Sequence, residues 1–79
     1  MSPETRETRR MQGEVFRTAR ERGKKTQAEV GSALGVASYI VSNWECGRTS
    51  LPMDIAPRLA AVVELLPAEW RRLRVLVSL

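Results

Sequence analysis

The polar side chains that stand out in this sequence are hydrogen-bonding groups rather than proton-transfer groups or metal ligands. There is no histidine and a single cysteine, Cys46. That composition removes the usual zinc spacings, the Ser-His-Asp and Cys-His arrangements and any intramolecular disulfide. The expectation is a chain that is not an enzyme and holds no metal or cofactor. What remains gathers between Thr26 and Arg48, in TQAEVGSALGVASYIVSNWECGR, as Gln27, Ser38, Tyr39, Ser42 and Asn43. Asparagine donates and accepts at once, the pattern adenine presents through N6 and N7, worth about 1–3 kcal/mol of discrimination. Serine bonds several bases and specifies weakly, while tyrosine can stack on a sugar, touch a thymine methyl or bond a phosphate. Asn43 is the first candidate for reading a base.

Charge lies mostly outside that stretch. The net charge of +4 points to a polyanionic partner, and its distribution says more. Residues 1–25 hold Arg6, Arg9, Arg10, Arg17, Arg20, Arg22, Lys24 and Lys25 against Glu4, Glu7, Glu14 and Glu21, whereas residues 26–50 hold only Arg48 against Glu29 and Glu45. Whatever the central stretch recognises, it recognises largely without charge. Lys24, Lys25 and Arg48 flank it as candidate phosphate contacts. The start, MSPETRETRRMQ, is charged, and an apolar run such as RLAAVVELL is interrupted by Glu64 and too short to cross a bilayer. A soluble cytoplasmic chain with no membrane partner is expected, and one cysteine fits a reducing compartment. At 79 residues it forms one domain, whose core supplies only about 3–5 kcal/mol, so a partner subunit is expected too.

The elements that must position these residues follow from apolar spacing. Met11, Val15, Phe16 and Ala19 form one face of a helix that ends at ERGKK, with Gly23 as breaker. It begins either at Pro3, after the start signal Ser2-Pro3-Glu4, or only near Met11, leaving residues 1–10 as a flexible basic extension. Thr26-Gln27-Ala28-Glu29 is a capping box that opens a second helix with Val30, Ala33 and Leu34 inward and Gly35 at its end. A third helix runs from Ala37 or Ser38 to Cys46, with Val41 and Trp44 inward and Gly47 stopping it. After the loop RTSLP, Asp54 is expected to cap a fourth helix carrying Ile55, Leu59, Val62, Val63 and Leu66, with Pro57 in its first turn. Pro67 opens a last helix with Trp70, Leu73, Leu76 and Val77 in one stripe, although Val75, Val77 and Leu79 also alternate as a short strand would.

Two short helices joined by a tight glycine-containing turn are the sequence form of a helix-turn-helix, whose second helix enters the major groove. Gly31, midway along the first of the pair, is expected to let the second approach closely, at a cost of about 1 kcal/mol relative to alanine. From Val15 to Leu66, and most densely in RERGKKTQAEVGSALGVASYIVSNWECGR, the chain resembles the Cro and phage-repressor helix-turn-helix family, also called the xenobiotic-response-element family. The arginine of RTARERG, then TQAE, LGV and the WE-x-G-R ending fall in the family's order and spacing.

The resemblance implies an all-α, lambda-repressor-like bundle of about five helices, with the DNA-binding domain over residues 11–66 and a C-terminal segment over 67–79. It implies that Gln27 bonds a phosphate and buttresses the recognition helix. Ser38, Tyr39, Ser42 and Asn43 would contact base edges or phosphates, Ile40 a thymine methyl, and Thr26, Lys25 and Arg48 the flanking backbone. Arg20 and Glu45 match a pair that ties the first helix to the end of the recognition helix. One position departs from the pattern: Ala37 stands where a Ser or Thr cap is usual, so the cap shifts to Ser38 or is missing.

The functional expectation is a homodimeric repressor of a pseudo-palindromic operator in double-stranded DNA, acting on its own operon in a phage or mobile element. Trp70, Leu73, Leu76 and Val77 are assigned to its two-fold seam, the alternative being that they fold back on the first helix. The competing class is an antitoxin or adaptor whose C-terminal segment binds a protein partner.

Overall fold

The computed structural model describes residues 5–78, with side chains described as far as Leu73. Among them the chain is all-helical, with five helices in succession.

Helix α1 spans Arg6–Arg22 and is capped by Thr5, whose hydroxyl accepts from the Thr8 amide at 3.1 Å. Residues 6–10 therefore belong to the helix and not to a flexible extension, while the start signal at Ser2-Pro3-Glu4 lies outside the described residues. Glu7 in the first turn and Arg20 and Arg22 in the last suit the helix dipole. Gly23 ends α1 with an ordinary φ of −82°, and the left-handed reversal falls on Lys24 at φ 56°.

Helix α2, Gln27–Leu34, opens with both halves of the expected capping box. The Thr26 hydroxyl accepts from the Glu29 amide at 3.0 Å, and the Glu29 carboxylate accepts from the Thr26 amide at 2.8 Å. That backbone hydrogen bond holds the Glu29 carboxyl below its ordinary pKa. Helix α3 spans Ser38–Cys46, so residues 35–37 make the whole connection between them. Gly35 and Gly47 end α2 and α3 in the left-handed conformation. Ala37 is the N-cap of α3 and gives no side-chain bond, so the cap does not shift to Ser38, which is the first helical residue. A missing cap of this kind costs about 1 kcal/mol.

Helix α4 spans Ala56–Val63, capped by Ile55 and not by Asp54. The Pro52 carbonyl accepts from the amides of both Ile55 and Ala56, which places Asp54 inside a turn that leads into the helix. Glu64 closes α4 at φ 56°. Helix α5 spans Pro67–Ser78, and the Glu69 carboxylate reaches back to the Leu66 amide at 2.8 Å. Val75 and Val77 thus lie in a helix, not a strand; Leu79 lies outside the described residues.

The core is built from Val15, Phe16 and Ala19 of α1, Val30 and Leu34 of α2, and Val41 and Trp44 of α3. Leu59, Ala60 and Val63 of α4 complete it together with Leu73 of α5. Among the expected core positions, Ala33 is exposed, and so is Leu66, because it precedes α5 rather than continuing α4. Half-buried Leu65 packs on the core in its place. Helix α1 packs against α3, α4 and α5, and α2 against α3 and α4.

Two glycines set the spacing of this packing. A β-carbon on Gly13 would meet the Trp44 carbonyl oxygen and lie 2.5 Å from that of Glu45, so α1 and α3 touch backbone to backbone. On Gly31 it would lie 2.6 Å from the Val36 carbonyl oxygen. The close approach at Gly31 therefore comes from the turn, which folds back on the middle of α2 and donates the Val36 amide to the Gly31 carbonyl at 2.8 Å.

Candidate functional site

At the centre of the α1–α2–α3 junction lies one buried carboxylate. Glu45, near the end of α3, receives the Arg20 guanidinium of α1 through Nε at 2.7 Å and Nη2 at 3.0 Å. The first residue of α2, Gln27, donates its side-chain amide to the same carboxylate at 3.0 Å. The third Arg20 nitrogen, Nη1, donates to the Lys25 carbonyl at 2.8 Å and so holds the α1–α2 turn. Arg20 and Glu45 side chains are only 12% and 5% exposed. Such a two-pronged pair is both directional and charge-assisted. Its hydrogen bonds with Glu45 raise the Arg20 pKa despite burial. The arrangement fixes α3 against α1 and α2 at its C-terminal end, while Val41 and Trp44 fix it along its length.

The opposite face of α3 is uncharged and faces outward. Tyr39 is 65% exposed, Ser38 and Cys46 are exposed, and Ser42 and Asn43 are half-buried on the turn between. Ser42 and Asn43 lie three and four residues after Tyr39, and Cys46 lies four and three residues after them, the spacing of a single helix face. Arg48 is exposed just beyond Gly47. Chemically this is a narrow ridge of amide, hydroxyl and phenol groups on a rigid helix, suited to a hydrogen-bonding edge and unsuited to proton transfer.

Other expected contact residues are also engaged within the chain. Ile40, assigned to a thymine methyl, is half-buried and packs against the core. The Thr26 hydroxyl is engaged in the capping box. The Lys25 ammonium lies 3.7 Å from the Glu64 carboxylate. Gln27 carries the buttressing half of its expected role through Glu45. In α5, Leu73 is 8% exposed and belongs to the chain's own core, which corrects its place in a dimer seam. Trp70 is 41% exposed, and the side chains of Leu76 and Val77 lie outside those described.

Three features escape sequence reasoning. Arg9 donates from Nε to the Gly47 carbonyl at 3.2 Å, tying the start of α1 to the end of α3. Arg22 donates to the Glu69 carboxylate at 2.7 Å and to the Glu64 carbonyl at 3.0 Å, which clamps α5 to the end of α1 and lowers the Glu69 pKa. Gly13 is the third, and only a glycine inside an otherwise good helix signalled it. Residues 9 and 47 carry no mutual signal in a single sequence.

Among the described residues no cluster of Cys, Asp or Glu could hold a metal ion, and no helix is long and apolar enough to cross a membrane. In comparisons with known proteins the chain matches no family model, no curated protein and no solved structure.

Proposed function

We propose that the chain is a sequence-specific double-stranded-DNA-binding transcriptional regulator of the helix-turn-helix kind, with α2 as the supporting helix and α3 as the recognition helix. It acts in the cytoplasm as a homodimeric repressor of a pseudo-palindromic operator, with autoregulation as its natural circuit. The observation that carries the reading is the pairing of a locked inner face of α3, held by Arg20, Glu45 and Gln27, with an uncharged hydrogen-bonding outer face. Base reading requires both: donors and acceptors on one helical face, and a backbone that does not move when they meet a base edge. Each chain offers one such face, so two copies would span half-sites about 34–36 Å apart.

The test is fluorescence anisotropy with duplex DNA from upstream of the protein's own gene against a scrambled duplex of equal length. A preference of about a thousandfold or more supports the reading. Equal, weak, steeply salt-dependent binding to both removes self-regulation at that site, and the same outcome with duplexes selected from a random pool overturns sequence-specific binding. Within a confirmed operator, Asn43→Ala is expected to relax preference at one base pair per half-site by about 1–3 kcal/mol. Unchanged discrimination across a full set of single-base variants removes Asn43 from base reading.

One observation favours a second reading, that of an antitoxin or adaptor. Leu66 and Trp70 leave apolar surface exposed where α5 begins. In that reading the α5 face carries binding, and Asn43→Ala leaves the partner's affinity unchanged.

A further inference from the structure

The start of α1 and the end of α3, far apart in sequence, are pressed together. A β-carbon on Gly47 would lie 2.6 Å from the Arg10 amide nitrogen and 3.0 Å from the Arg9 carbonyl carbon, so the two backbones are in contact. The Arg9 Nε bond to the Gly47 carbonyl closes the same junction at 3.2 Å. This contact gathers a cationic group at the C-terminal end of the outward α3 ridge. Arg6 lies one helical turn before Arg9 and Arg10, and Arg48 is bonded directly to Gly47. Both are exposed. The opposing charge is Glu7, which pairs with Arg10 at 2.6 Å, with Glu14 a further and weaker influence on Arg10. The side chains of Arg6 and Arg48 have no hydrogen bond or ion pair among the described residues.

We infer that the first two turns of α1, through Arg6 and Arg10, join Arg48 in a second phosphate-contacting surface that grips the DNA strand passing the C-terminal end of α3. The inference rests on the DNA-binding reading of α3 and extends its footprint to residues outside the two-helix unit. Three arguments support it. The cations sit where the uncharged ridge ends, so a groove filled by the ridge brings its bordering phosphates past them. Arginine on the exposed face of a rigid helix meets a phosphate bidentately, with little further ordering of the backbone. The Glu7 carboxylate that now holds Arg10 is itself 66% exposed, so exchanging it for a phosphate uncovers no buried charge. Arg9, half-buried against Gly47, positions this surface.

The test is the salt dependence of binding to a duplex that the wild-type chain selects from a random-sequence pool, for the wild type, Arg6→Gln/Arg10→Gln and Asn43→Ala. The α1 double variant is expected to show a slope of log affinity on log salt shallower by about 1–2, because each lost phosphate contact removes about 0.9. Its affinity is expected to fall by the same factor on the selected and a scrambled duplex. Asn43→Ala should retain the wild-type slope and lose preference instead. A double variant that keeps both the wild-type slope and the wild-type affinity overturns the inference and leaves the DNA-binding reading standing. A wild-type chain that selects no duplex and binds none at low salt overturns both. Circular dichroism of the double variant separates lost contacts from lost fold, since both positions are exposed and neither belongs to the core.

Discussion

At the scale of single residues, Glu45 does the most for the site although it points away from it. Its two carboxylate oxygens accept three donors, two from Arg20 and one from Gln27. Removing the carboxylate would leave the Arg20 guanidinium buried without its counter-charge, and the cost of such a break exceeds the net worth of the intact pair. Glu45→Ala is therefore expected to lower the free energy of unfolding by about 3 kcal/mol, read from a urea midpoint at unchanged slope. A loss under about 1 kcal/mol would reduce the hub to the worth of a surface ion pair. Asn43 has the opposite character in the proposed reading: its loss is expected to be felt in discrimination and not in folding.

At the scale of elements, the α1–α3 crossing decides how deep α3 sits. Gly13 is buried under the Trp44 and Glu45 carbonyls, and no rotamer change can make room because the obstacle is backbone. Gly13→Ala must push α1 and α3 apart, which loosens Phe16 against Trp44 and disturbs the Arg20 bond to Glu45. The intrinsic helical gain of alanine, about 1 kcal/mol, is expected to be outweighed by overpacking of about 1–3 kcal/mol. The net loss should appear as a lowered urea midpoint, and a stabilised variant would show that the crossing tolerates separation. This is also the scale at which the sequence was most readable. The capping box at Thr26, the glycine stops at Gly35 and Gly47, and the inward Val41 and Trp44 depend on neighbours within a few residues, and each was legible. The cap of α4 was not, because a turn anchored by the Pro52 carbonyl took over the entry and left Asp54 outside. Nor was the reversal at Lys24, where the local bond from the Arg20 side chain to the Lys25 carbonyl holds a conformation a glycine next door would have taken at lower cost. The Arg20–Glu45 pair was anticipated through resemblance alone, whereas the Arg9–Gly47 and Arg22–Glu69 links required the packing itself.

At the scale of the whole molecule, α5 reaches the core through Leu73 and leaves apolar side chains outside it where it begins. Leu73 anchors it in the core, and Arg22 clamps it through Glu69 and the Glu64 carbonyl. Leu66 and Trp70 remain on the outside, one helical turn apart, with the Trp70 amide bonded to the Leu66 carbonyl at 3.0 Å. Leu73 and Trp70 are three residues apart, so stability and association are separable by substitution. Leu73→Ala creates a cavity among α1 side chains and is expected to cost about 2–5 kcal/mol of stability, read by urea denaturation. Trp70→Glu places a charge on the exposed apolar surface and leaves Leu73 and the Arg22–Glu69 clamp in place. If α5 forms the two-fold seam of the proposed repressor, this variant sediments as a monomer where the wild type sediments as a dimer, and its operator affinity falls through lost pairing of half-sites. Retention of the dimer mass would move the seam away from α5 and leave the Leu66–Trp70 surface to a different partner.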